Sequence, residues 1–152
     1  MGIGYPDVKI IIDTMLNLPL LYWTGEERKF NIARNHAEVS QAKLIRPDYS
    51  SYHTYLMNPE TGEAVCGKTH QGYADESTWA RGQAWAVYGF ALSYRYTKQE
   101  SFLETARKTA EVFIENLPAD HVPYWDFTFT DDNPDIRDTS AGAIAACGLL
   151  EL

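Results

Sequence analysis

Cationic residues are scarce in this chain: 13 Lys and Arg stand against 21 Asp and Glu, leaving a net charge of −8 over 152 residues. A broad nucleic-acid surface needs a basic patch, so that partner class is excluded, and any bound anion must be held by a few local cations. Cysteine is nearly absent. Cys66 and Cys147 lie far apart without CxxC spacing, which argues against a thiolate zinc site and a disulfide framework. Two plain buried or half-buried thiols fit a reducing, cytoplasmic setting. The four histidines show no ligand spacing, so no metal is expected. No apolar run approaches a membrane span, and MGIGYPDVKI lacks the basic and apolar stretches of a signal peptide, so no membrane partner is expected.

With 45% hydrophobic and 22% charged residues, the chain is a soluble globular domain with room for a sizeable core. Ile10–Trp23 is apolar nearly all round and reads as a buried helical segment disturbed by Pro19. After the turn Thr24-Gly25-Glu26-Glu27, residues 28–44 carry Phe30, Ala33, Ala37 and Leu44 on one side, predicting a helix that closes an antiparallel hairpin. Alternation in 52–56, the turn Asn58-Pro59-Glu60-Thr61-Gly62 and the run 64–66 predict a small β-hairpin excursion. Helices over 77–96 and 101–117 form a second hairpin. The segment 139–152 predicts an unpaired small-residue helix with no cap at its end, built for neighbours that this sequence does not supply. No internal repeat is visible, and a helical toroid with parts missing fits better than a free-standing bundle.

Chemistry concentrates in Thr69–Trp85, where amide, carboxylate, guanidinium and indole groups share a loop and the first turns of a helix. Indole faces stack on pyranose rings, and an arginine clamps a carboxylate with two parallel hydrogen bonds, so the mixture suits an anionic sugar. If the helix begins near Ser77, Arg81, Trp85 and Tyr88 project from one face. Trp85 and Tyr88 are also readable as plain core, but an arginine in their stripe needs a partner. Asp13, set between Ile10-Ile11-Ile12 and Thr14-Met15-Leu16, either caps a helix or has a raised pKa. His53 is open to a structural or a catalytic reading, and His70 beside Gln71 equally so. Asp75 and Glu76 read as capping or dipole partners of the following helix. Tyr124-Trp125-Asp126-Phe127 is a second aromatic cluster, placed to form the opposite wall of one pocket.

The strings IIIDTMLNLPLLYW, SSYHTYLMNPETGE, KTHQGYADESTWARGQAWAVYGFALSYRYT, VPYWDF and RDTSAGAIAACGLLEL, in that order, resemble the unsaturated glucuronyl hydrolases of glycoside hydrolase family 88. The resemblance implies an all-α fold, part of an (α/α)6 six-hairpin barrel with a small β-hairpin insertion. Residues 1–152 would form a partial domain that lacks N-terminal and C-terminal hairpins. It also implies no cofactor, and an unsaturated uronyl oligosaccharide, released by a polysaccharide lyase, as the ligand. In that chemistry an acid protonates C4 of the C4=C5 enol ether, water adds at C5, and the hemiketal opens to expel the neighbouring sugar. Asp13 matches the family's general acid/base, whose upward pKa shift burial would supply. His53, Gln71, Arg81 and Trp85 match positions lining the pocket, Arg81 as carboxylate partner and Trp79 or Trp85 as stacking surface. Tyr124 and Trp125 join them as candidate substrate contacts from the residue reading.

Family members carry a second essential aspartate and a tryptophan upstream of the acid/base, for which Met1–Val8 leaves no room. The isolated chain is therefore expected to turn over unsaturated disaccharides feebly or not at all. Two alternatives stand beside this reading: an unsaturated rhamnogalacturonyl hydrolase, disfavoured by the THQGYAD…WARGQAW form, and a catalytically incomplete sugar-binding remnant. Nothing in the sequence fixes the oligomeric state.

Overall fold

The structure is a computed structural model that describes residues 8–152. Residues 1–7, which carry most of the segment read above for a targeting signal and for the absent upstream aspartate, lie outside the described residues. Five α-helices follow one another: α1 Leu18–Trp23, α2 Glu27–Leu44, α3 Ala80–Thr97, α4 Glu100–Glu115 and α5 Thr139–Glu151. Three short strands, β1 Val8–Ile11, β2 Thr54–Met57 and β3 Ala64–Lys68, form an antiparallel sheet in the order β1-β2-β3.

The apolar run Ile10–Trp23 is not one helix. It divides into the end of β1, a 3-10 turn over Ile12–Leu16, and α1. Pro19 stands in the first turn of α1, where its missing N–H costs nothing, so it helps to start a short helix and does not disturb a long one. The predicted β-hairpin exists as β2 and β3 and gains β1 as a third strand, with Ile10 opposite Tyr55 and Tyr55 opposite Gly67.

α3 is the centre of the molecule. Gly82 and Gly89 admit the 3-10 turn so closely that a Cβ at Gly82 would stand 3.5 Å from Ile12 Cγ2, and one at Gly89 2.3 Å from Met15 Cβ. Further along, Tyr22 of α1 stacks on Tyr96 with centroids 5.4 Å apart. Contacts advance in step, so the 3-10 turn and α1 run parallel to α3. On its other flank α3 meets α5 in the same sense, from the Arg81–Asp138 pair to the Arg95–Glu151 pair, each at 3.0 Å. α4 returns antiparallel: Phe90 packs on Phe102, and Gln83 Nε2 donates to Thr109 O at 2.9 Å. Lys98, in the left-handed conformation at φ 57°, makes the reversal. α2 likewise returns beside α1 and is tied to α4 by Gln41, which donates to Ser101 O and Thr105 Oγ1.

The architecture is thus three parallel inner segments with α2 and α4 returning outside them. One apolar cluster joins Ile12, Met15, Tyr22, Ala33, Leu44, Phe90 and Phe102, and a second joins Ala80, Ala84, Val87, Phe113, Ala141 and Ala145. Fully buried Phe90 and Phe102 each contribute on the order of 2–3 kcal/mol of transfer free energy. α5 is not unpaired, contrary to expectation: its small residues are used within this chain. A Cβ at Gly148 would stand 2.9 Å from both N and Cα of Tyr88, so the glycine allows α5 to lie against the α3 backbone. Cys147, expected to be at least half-buried, faces outward beside it and is exposed, while Cys66 is half-buried, and both are free. No helix among the described residues is long and apolar enough to cross a membrane.

Candidate active site

Parallel inner segments bring three N-terminal ends together. Asp13 lies in the first turn of the 3-10 segment, Trp79 and Arg81 open α3, and Asp138 opens α5. The sheet adds His53, which immediately precedes β2. Its carbonyl accepts from Ile12 N at 3.0 Å, so the strand end and the turn bearing Asp13 are pinned side by side.

Asp13 caps no helix: Ile11 is the N-cap of the 3-10 segment and Asn17 that of α1, neither with a side-chain hydrogen bond. Nor is it deeply buried, as its side chain is 38% exposed. One oxygen differs from the rest of the group. Oδ2 is buried, has no hydrogen-bond partner among the described residues, and lies 3.7 Å from His53 Nε2. His53 itself is almost wholly enclosed, its side chain 1% exposed, and its Nε2 has no hydrogen-bond partner among the described residues. His53 Nδ1 is well occupied, accepting from the backbone N–H groups of His70 and Gln71, each at 3.1 Å. Burial pushes the His53 imidazole below its ordinary pKa, against the opposing pull of the Asp13 carboxylate.

Trp79 packs its ring on His53 with centroids 4.5 Å apart, and the Arg81 guanidinium lies 5.3 Å from the Trp79 centroid on the way to Asp138. At 5% exposure, Trp79 has no open face for a sugar and serves as the wall behind His53. Arg81 Nε donates to Asp138 Oδ2 at 3.0 Å, and Nη2 pairs with the same oxygen at 3.0 Å. The edge expected to clamp a ligand carboxylate is therefore engaged within the protein, leaving Nη1 for other partners. This is the partner that an arginine among aromatics requires. Desolvation of Asp138 opposes its ionisation, but hydrogen bonds from the Ser140 hydroxyl and the Ala141 N–H, together with Arg81, hold its carboxyl below the usual range. Sequence reasoning missed Asp138. The signal was available in Asp138-Thr139-Ser140-Ala141, an aspartate directly before a small-residue helix, where an N-cap is expected.

Gln71 is exposed and touches the cluster through its backbone. Trp85 is half-buried against the core cluster that contains Ile12 and Met15, and its Nε1 is a third buried polar atom with no hydrogen-bond partner among the described residues. Tyr124 does not join them. It is 3% exposed, donates to Asp131 Oδ1 at 3.2 Å and carries Arg137 over its ring at 3.7 Å, a structural assignment that places it beside a separate hollow of about 290 Å³. Trp125 packs with Tyr73 and Phe129, while its backbone carbonyl accepts from Ala80 N at the head of α3.

Two further residues shape the loop that carries Gln71. Asp126 is completely buried; its Oδ2 accepts from Tyr73 N at 2.9 Å and Ser77 Oγ at 2.7 Å. Arg46 donates to Ser50 Oγ, Ser51 O, Thr78 Oγ1, Asp75 O and Ser77 O, joining the approach to His53 to the approach to Trp79. Asp75, expected as a helix cap, instead pairs with Lys68 and accepts from Thr69 N, because α3 begins five residues later at Ala80.

The model of the family described as Glycosyl Hydrolase Family 88 matches residues 12–151, nearly the whole of this arrangement. The chain belongs to glycosyl hydrolase family 88. Over 148 residues this family 88 chain is 51% identical to the unsaturated glucuronyl hydrolase of Bacillus sp. (strain GL1), covering 95% of this chain and 39% of that protein. The crystal structure of that enzyme superimposes with a TM-score of 0.90 over 94% of this chain and 39% of the relative. It is also similar to the unsaturated chondroitin disaccharide hydrolase of Streptococcus pneumoniae (strain ATCC BAA-255 / R6), at 45% identity over 95% of this chain and 37% of that protein. An Asp-to-Asn variant of the unsaturated glucuronyl hydrolase of Streptococcus agalactiae, complexed with dGlcA-GalNAc6S, matches at 46% identity and a TM-score of 0.82, over 93% of this chain and 38% of that one. The family 88 chain therefore spans about two-fifths of the length of these relatives. Its helical hairpins are part of the six-hairpin barrel that those structures share.

Proposed function

We propose that residues 1–152 contribute a partial (α/α)6 domain to the hydration of unsaturated uronyl oligosaccharides, with Asp13 as general acid/base. The observation that carries this reading is the Asp13–His53 pair at 3.7 Å: two buried, facing polar atoms without hydrogen-bond partners among the described residues, at the shared N-terminal end of three parallel segments. Buried polar atoms are normally satisfied, so such a facing pair marks where a ligand or water belongs. The partial positive ends of α3 and α5 favour an anionic ligand there, and the names of the relatives, with dGlcA-GalNAc6S in one complex, fit a uronate.

The chemistry then runs as follows. Asp13, protonated, gives its proton to C4 of the ring as the C4=C5 electron pair forms the new C4–H bond, and cationic charge spreads over C5 and the ring oxygen. The resulting carboxylate takes a proton from a water molecule whose oxygen bonds to C5, which restores the acid. The hemiketal at C5 opens by breaking its bond to the ring oxygen. C1 is then an open-chain hemiacetal, which releases the neighbouring sugar as an alcohol and leaves a 4-deoxy-5-keto uronate. Trp85, half-buried with an unpaired Nε1, is the residue to meet the sugar, and Arg81 Nη1 and Gln71 are the donors for its carboxylate and hydroxyls.

Two free thiols, one of them exposed, support a reducing, cytoplasmic location, and a lyase-derived substrate places the reaction in carbohydrate catabolism. The test is loss of the ultraviolet absorbance of an unsaturated chondroitin disaccharide. A chimera with residues 12–151 replacing the matching segment of the Bacillus enzyme should turn over, whereas the isolated chain should do so feebly or not at all. A folded chimera that binds the disaccharide without consuming it would favour the sugar-binding remnant.

A further inference from the structure

We propose that His53 is a positioning residue for Asp13: a neutral imidazole locked with its only proton on Nε2, which it directs at Oδ2 so that the opposite oxygen, Oδ1, carries the proton that Asp13 exchanges. The inference rests on the reading of Asp13 as acid/base and adds which of its two oxygens acts.

A neutral imidazole has one donor nitrogen and one acceptor nitrogen, and the partner of the first determines the role of the second. His53 Nδ1 faces two backbone N–H donors, from His70 and Gln71, both at 3.1 Å. A proton on Nδ1 would point donor at donor twice over, so the proton resides on Nε2. That nitrogen has one acceptor in front of it, Asp13 Oδ2 at 3.7 Å. Closing the gap to hydrogen-bond length takes a shift of roughly 0.5–1 Å, within the looseness common in catalytic pairs. The carbonyl of His53 already holds Ile12 N at 3.0 Å, so the pair is registered through the backbone as well as the side chains.

Enclosure makes the lock stable. Trp79 covers one side of the imidazole at 4.5 Å, and the side chain is 1% exposed. Charging the ring would forfeit both backbone hydrogen bonds and place a cation out of water. The groups around it divide in sign: Asp13 from the 3-10 turn favours the charged ring, while His70 from the loop after β3 and Lys9 from β1 disfavour it, and burial outweighs each of them. His53 is therefore a fixed donor and not a proton shuttle. Because only Oδ2 of Asp13 is enclosed while the side chain as a whole is 38% exposed, Oδ1 is the oxygen open to a ligand.

The test is ¹H–¹⁵N long-range correlation NMR of the imidazole rings in the isolated chain, across pH 8 to 5. Substituting His36, His70 and His121 singly by Gln assigns His53 by elimination, even if H53Q itself fails to fold. The expected spectrum has an unprotonated Nδ1 and a protonated Nε2 for His53, unchanged from pH 8 to 5, and D13N should move the Nε2–H signal. A proton on Nδ1, a His53 titration at or above the ordinary value near 6.5, or an Nε2–H signal indifferent to D13N would each overturn the proposal. No sugar is used, so a failed turnover assay would remove the hydrolase reading and leave the tautomer result intact.

Discussion

Asp138 Oδ2 accepts from Arg81 Nε at 3.0 Å and pairs with Nη2 at the same distance, while its Oδ1 accepts from the Ala141 N–H in the first turn of α5 at 3.0 Å. One nearly buried carboxylate therefore fixes the start of a helix and the reach of Arg81. Asn caps a helix about as well as Asp, so D138N removes the carboxylate charge opposite Arg81 with little loss of the cap. We expect a cost of about 1–3 kcal/mol, read from urea unfolding. A change below about 0.3 kcal/mol would mean that the pair is dispensable, since surface substitutions typically fall within ~0.5 kcal/mol.

Acid should weaken the chain in two stages. His53 and His36 are both lowered by burial, so below about 6.5 the unfolded chain binds protons that the folded chain refuses, and stability falls as pH drops through that point. Asp138 is also lowered. Its contribution is fully present above the unfolded carboxylate value near 3.8 and is lost as pH falls through the lower folded one. Urea midpoints at pH 7.5, 6, 5 and 3.5 read both stages. H53Q should flatten the first stage and D138N the second; a midpoint constant from pH 7.5 to 5 would contradict the assignment of neutral rings to buried His53 and half-buried His36.

Gly89→Ala tests how tightly the turn bearing Asp13 is seated. The added Cβ would stand 2.3 Å from Met15 Cβ and 3.2 Å from its backbone carbonyl carbon, so the 3-10 turn must move. Helix propensity alone would reward alanine by about 1 kcal/mol. We expect a net loss of roughly 1–3 kcal/mol instead, as in other overpacked cores. A stabilised G89A would show that the turn is free to shift.

Helices α2, α3 and α4 were legible in the sequence within a few residues, because each repeats apolar positions at helical spacing over four turns or more. Ile10–Trp23 was not, since an all-round apolar run has no period by which to tell strand, 3-10 turn and helix apart. The role of the small residues in α5 was hidden for a different reason: Gly148 has meaning only beside the Tyr88 backbone, sixty residues earlier. In the site, residue types pointed to Asp13, His53 and Arg81, while their present partners are tertiary facts. That Trp79 is a buried wall and that Asp138 occupies the Arg81 edge follow from how three N-terminal ends meet, while Tyr124 is held apart from them by Asp131 and Arg137.

The most direct measurement is the turnover of an unsaturated chondroitin disaccharide, followed by its ultraviolet absorbance, by the chimera carrying residues 12–151 and by the same chimera with D13N. Loss of an acid/base commonly costs 10²–10⁴-fold, so the account predicts a fall of about that size in kcat with disaccharide binding retained. A D13N chimera turning over at near the parent rate would contradict it.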